Sequence, residues 1–127
     1  MKISRSKLDK FIALHASGDY TLDVGARRER YMNLFPNKIS IDLDPDNDPD
    51  VVGDANKLPF DNEVFDQILC TEVLEHVEHP YEVASELYRV LRPGGKLILT
   101  TRFMYPIHEA PNDYWRFTSY NLEKIFS

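Results

Sequence analysis

A single cysteine in 127 residues excludes the disulfide-stapled class of small secreted scaffolds, because Cys70 has no partner within the chain. A reducing compartment fits, and Cys70, beside an apolar run, reads as a buried thiol. Glycine is scarce too, five in all, and none of them forms the GxGxxG turn that a nicotinamide dinucleotide site requires. Positive charge is outweighed: 15 Lys and Arg face 21 Asp and Glu, a net charge of −6. Gripping nucleic acid needs a strongly cationic surface that releases counterions, so no nucleic-acid partner is expected. Long apolar runs are missing as well. The N-terminal MKISRSKLDKF lacks the apolar core of a secretory signal, and no later stretch is long enough to span a bilayer, so a cytoplasmic protein without a membrane span is expected.

What is present is 43% apolar residues, enough for one domain over residues 1–127 to bury a core. Ser6 and Asp9 have the spacing of a capping box, and Leu8, Phe11, Ile12 and His15 share one helical face before Gly18. Short β-type runs follow at 20–24, 38–42, 51–53 and 65–70. The acidic segment 43–50 reads as a loop or very short helix, and 72–77 as a helical turn before Pro80. Residues 81–91 form an amphipathic helix with Val83, Leu87, Val90 and Leu91 inward. Arg92-Pro93-Gly94-Gly95 is expected to end it, with a fifth strand at 96–101. A loop rich in aromatic and polar residues spans 102–117, and Thr118 is placed to cap a last helix.

Apolar strands alternating with helices predict an α/β fold: a Rossmann-like, open, mostly parallel sheet with helices on both faces. Such sheets bind ligands outside the carboxyl ends of their strands, near the point where strand order reverses. Those ends carry Asp23, Val24 and Gly25; Asp42; Gly53, Asp54 and Ala55; and Cys70, Thr71 and Glu72. A carboxylate ending the second strand is placed to accept hydrogen bonds from a ribose diol, which singles out Asp42.

The strings LDVGAR, ISIDLDP, GDANKLPFDNEVFDQILCTEVLEHV and ELYRVLRPGGKLILTT together resemble class I S-adenosylmethionine-dependent methyltransferases, specifically the methyltransferase type 11 group. The likeness runs from about Tyr20 to Thr101. It implies S-adenosyl-L-methionine as cofactor, with Gly25 under its methionine part, Asp42 on the ribose hydroxyls and Asp54 and Ala55 at the adenine edge. Cys70, Thr71 and Glu72 would line the site, and Asp23 and Leu43 belong to the same cofactor set. The family order 3-2-1-4-5-7-6 is expected without its last two strands, since no sequence for them follows Ser127. The family's GxGxG turn reads Gly25-Ala26-Arg27-Arg28-Glu29 here. Arg27 or Arg28 is therefore a candidate to pair with the cofactor's methionine carboxylate, against the alternative of solvated surface charges. The tail YPIHEAPNDYWRFT resembles a subgroup associated with glycan or cell-envelope pathways.

The expected function is methyl transfer to a small-molecule or glycan-linked acceptor, the alternative being a catalytically silent domain of the same fold that serves as a binding partner. His108 is the candidate base, with an ordinary pKa near neutrality. No metal is expected. Asp42 to Asp50 alternate like an oxygen-rich loop, but Asn47 and Gly53 occupy the positions where an EF-hand needs glycine and glutamate. His76 and His79 lack the HExxH spacing of a zinc site. An unpaired fifth strand beside an aromatic tail is a template for association, so a homodimer through that edge is expected.

Overall fold

The computed structural model describes residues 2–25, 32–71, 73–100 and 124–126. Helix α1 (Lys2–His15) leads into β1 (Thr21–Val24), β2 (Lys38–Asp42), β3 (Val51–Val52), β4 (Phe65–Thr71), α2 (Pro80–Val90) and β5 (Leu91–Thr100), with short 3-10 turns at Met32–Leu34, Pro45–Asn47 and Leu74–His76. The strands form one 5-stranded sheet of order β3-β2-β1-β4-β5, and every pairing is parallel. The chain winds outward from β1 to β3 and then returns to the other side of β1, so strand order reverses between β1 and β4.

Both faces are covered, as expected for a parallel sheet. Leu22, Val24, Ile41, Ile68 and Cys70 point to one side, where Val83, Leu87 and Val90 of α2 close a buried cluster. The i, i+4, i+7 spacing of those three residues puts them on one stripe of the helix. On the other side Ile12 of α1 packs with Phe35, Leu69 and Ile98. The turn at 124–126 brings Ile125 and Phe126 against the α2-side cluster.

Two local expectations are corrected. Ser6 does not start α1, which already runs from Lys2. A capping box needs a glutamate or glutamine long enough to reach back, and Asp9 is too short, whereas Lys2 to Arg5 contains good helix formers. Phe11, predicted on the inner face, is also 42% exposed, and its ring stands 4.8 Å from that of His15.

The Arg92-Pro93-Gly94-Gly95 segment is not a helix cap but part of β5. Helix α2 stops at Val90 because Leu91 is extended, at φ −87° and ψ 134°, and pairs with Phe65. The last helical carbonyls are satisfied by the incoming chain: Glu63 N–H donates to the Arg89 carbonyl and Val64 N–H to the Val90 carbonyl, each at 2.9 Å. The extra residues are absorbed as an irregularity where the register jumps between Phe65 and Gln67. Glycine is needed there, since a Cβ on Gly95 would lie 2.8 Å from the Asp66 carbonyl oxygen.

Candidate functional site

The carboxyl ends of β1, β2, β3 and β4 lie side by side around the point of reversal. Gly25 continues β1, its N–H donating to the Ile41 carbonyl at 2.9 Å, and turns with φ +73°. A Cβ there would collide with the Val73 side chain, so the turn after β1 admits only glycine. One strand over, Asp42 ends β2. Its carbonyl accepts from Gly53 N–H at 2.9 Å and its Oδ1 from Asp44 N–H at 2.8 Å. The first contact ties the exit of β3 to Asp42, and the second fixes the carboxylate while leaving Oδ2 outside that contact. Leu43 beside it is 68% exposed, an apolar surface at the rim.

Beyond β3 the chain makes a tight turn. Asp54 Oδ1 accepts from both the N–H and the Nδ2 of Asn56 at 2.9 Å, and the Asp54 carbonyl accepts from Lys57 N–H at 3.0 Å. These bonds are the reason Asp-Ala-Asn-Lys forms a compact shelf: a short aspartate side chain substitutes for backbone in a turn. Asp54 and Ala55 thus come to the same end of the sheet as Asp42.

The remaining predicted residues divide. Thr71 ends β4 and is partly exposed. Cys70 is fully buried in the α2-side cluster, so its thiol lines the core and only its backbone belongs to the strand end. Asp23 is 5% exposed and sits one residue short of the end of β1, with its Oδ2 3.1 Å from the Lys38 ammonium. Burial raises the Asp23 pKa, and the neighbouring Lys38 only partly offsets that push. Its carboxylate is engaged in a cross-strand ion pair rather than presented at the rim. Arg27, Arg28, Glu72 and His108 lie outside the described residues.

The alternating aspartates are used locally: Asp44 accepts from Asp46 N–H, and Asp50 Oδ2 accepts from both the N–H and Oγ of Ser40. Among the described residues no three His, Cys, Asp or Glu side chains gather to hold a metal ion, and no helix is long and apolar enough to cross a membrane.

Sequence reading missed a fork on α2. Arg89 Nε donates to Glu86 Oε2 at 2.7 Å and its terminal nitrogens reach the Phe60 and Leu58 carbonyls and Asn62 Oδ1, at 2.7, 3.0 and 3.0 Å. The hydrogen bond from Arg89 holds the Glu86 carboxyl below its ordinary range. The i, i+3 spacing of the pair is visible in the sequence; the loop it grips is not.

A glycine turn, a strand-end carboxylate and the Asp54–Lys57 shelf on adjacent strands of a 3-2-1-4-5 sheet can cradle a nucleoside. The model of one family, described as a methyltransferase domain, matches residues 18–99. This chain belongs to the methyltransferase domain family. Its methyltransferase segment is 40% identical over 58 residues to a demethylmenaquinone methyltransferase of Streptomyces avermitilis, covering 46% of this chain and 25% of that protein. Among solved structures, an S-adenosylmethionine-dependent methyltransferase of Thermotoga maritima superposes with a TM-score of 0.78 at 20% identity, over 96% of this chain and 68% of that one. Phosphoethanolamine N-methyltransferase 2 of Haemonchus contortus, in complex with S-adenosyl-L-methionine, does so with a TM-score of 0.71 at 20% identity, over 97% of this chain and 35% of that one. The matched segment therefore spans about a quarter of the length of that curated relative, and the domain shares its sheet architecture with the solved structures.

Proposed function

We propose that this domain binds S-adenosylmethionine across the carboxyl ends of β1 to β4 and transfers its methyl group to a small-molecule or glycan-linked acceptor. The observation that carries the reading is the adjacency of the glycine-only turn at Gly25 to Asp42 and the Asp54-Ala55 shelf. The donor set suits the ligand: a carboxylate for the ribose diol at Asp42, an exposed apolar side chain at Leu43 and backbone at Asp54 and Ala55 for the adenine, and a close backbone approach at Gly25 for the methionine part. Arg27 is assigned the methionine carboxylate, which needs no glycine-bound phosphate turn. Bound there, the sulfonium supplies a methyl carbon already activated for displacement. The protein then has to align the acceptor and exclude water, and His108 removes a proton where the acceptor carries one. The single, buried cysteine favours a reducing, cytoplasmic setting, and the unpaired outer edge of β5 among the described residues favours a homodimer.

Calorimetric titration tests the assignment. Asp42→Ala should weaken S-adenosylmethionine by about 1.5–3 kcal/mol, the worth of a hydrogen bond to a charged group. Asp46→Ala, on the exposed 3-10 turn, should leave affinity unchanged. Equal affinity in the two variants defeats the Asp42 role. Absence of binding to the unmodified domain at millimolar ligand leaves a catalytically silent domain of the same fold.

A further inference from the structure

The shelf that carries Asp54 and Ala55 is held from both ends. At its start Gly53 N–H is tied to the Asp42 carbonyl. At its far end the Glu86–Arg89 fork closes on the chain: Glu86 Oε1 accepts from Leu58 N–H at 2.8 Å while Arg89 takes the Leu58 and Phe60 carbonyls and Asn62 Oδ1. Leu58 is 4% exposed and Phe60 meets Phe65 edge-on at 5.1 Å, so the gripped segment is also anchored in the core. The shelf, the Asp54–Lys57 turn, is closed by its own hydrogen bonds and runs directly into Leu58, the first residue the fork holds. A planar guanidinium bound by a bidentate carboxylate presents its remaining donors in fixed directions, which neither a lysine nor an apolar contact reproduces.

We infer that Glu86 and Arg89 are positioning residues for the adenosine half of the ligand, holding the 54–62 connection between β3 and β4 in the one arrangement that fits the base. The inference rests on the proposed S-adenosylmethionine site. Without the fork the segment samples other arrangements, and apparent affinity falls in proportion to the fraction still competent. Because the shelf meets only the nucleoside, the loss is the same for adenosine as for the whole cofactor. Arg92 supplies the contrast. It makes a longer, more exposed ion pair with Asp66, at 3.1 Å, and reaches the Glu63 carbonyl, but tethers the entry of β4 rather than the shelf.

The experiment titrates adenosine and S-adenosylmethionine into the unmodified domain, Arg89→Lys, Arg89→Ala and Arg92→Ala, at a temperature where circular dichroism shows each folded, and follows exchange of the Leu58 amide. The expected result is a loss of about tenfold, equal for both ligands, in the Arg89 variants, with faster Leu58 exchange and with Arg92→Ala unchanged. Arg89→Lys preserves the charge and carries the test where Arg89→Ala does not fold. A folded Arg89→Lys that binds both ligands normally overturns the inference, as does a loss confined to S-adenosylmethionine. Faster Leu58 exchange in a protein whose unmodified form binds neither ligand makes the fork a fold clamp and defeats the cofactor site itself.

Discussion

The two faces of the sheet are built on different principles. Toward α2, Leu22, Val24, Ile41, Ile68 and Cys70 present an unbroken apolar surface whose burial is its main source of cohesion. Toward α1, apolar Leu69 and Ile98 alternate with buried Thr21, Asp23, Ser40, Gln67 and Thr100. That side is held by specific pairings: Lys38 on Asp23, Asp50 on Ser40, Gln67 Nε2 on Thr21 Oγ1 at 2.8 Å, and Lys96 on the His15 carbonyl at 2.6 Å. The contrast teaches that one face tolerates changes of polarity badly and the other tolerates changes of partner badly.

The largest effect should come from emptying the apolar side. Phe65 is fully buried between Tyr20 and Phe60, and Phe65→Ala should cost about 3–5 kcal/mol in denaturant unfolding. A loss below about 1 kcal/mol would mean that the cluster is not the seat of stability claimed for it.

Next in size is the partner swap on the other side. Lys38→Met keeps the length of the side chain but strands the Asp23 carboxylate at 7% side-chain exposure, which should cost about 2–3 kcal/mol near neutral pH. The direction with pH follows from Asp23. Its folded pKa is raised, so the native state binds the proton more readily than the unfolded chain, and its contribution to stability is greatest in acid and is lost as pH rises through the folded value. Losing Lys38 raises that value further, so the melting-temperature gap between Lys38→Met and the parent should narrow toward acid pH. A gap that widens in acid refutes the ion pair as the cause.

The smallest effect sharpens the comparison. Thr100 is 7% exposed and its Oγ1 has no hydrogen-bond partner among the described residues, so Thr100→Val exchanges that hydroxyl for a methyl group of similar shape. Thermal unfolding should show no loss, or a gain of up to about 1 kcal/mol. A clear loss would show that the hydroxyl is held by a contact outside the described residues.

Much of the fold was legible because parallel strands buried on both sides carry their signal locally. The β2 span Lys38–Asp42 matches expectation at both ends, bounded as it is by Pro36 and by the Asp44-Pro45 turn. Val83, Leu87 and Val90 were legible as the inner stripe of α2 from their period alone. The candidate site was legible only as a set of strand ends: Asp42, Gly25, Asp54 and Ala55 emerge there, but Asp23 turns into the sheet and the Cys70 thiol into the core. Which way a strand-end side chain points depends on register, and a shift of one residue exchanges the faces.

By itself, then, the sequence determined the order and period of the elements, the glycine turn after β1 and the strand-end carboxylate at Asp42, because these depend on residues within a few positions of one another. Only the tertiary structure decided that Lys38 pairs with Asp23, that Arg92 to Gly95 join β5 instead of capping α2, and that Arg89 grips the chain from Leu58 to Asn62. Each of these is a contact between segments far apart in the chain, and its partner is chosen by how the strands pair and how α2 crosses them, which no local pattern encodes.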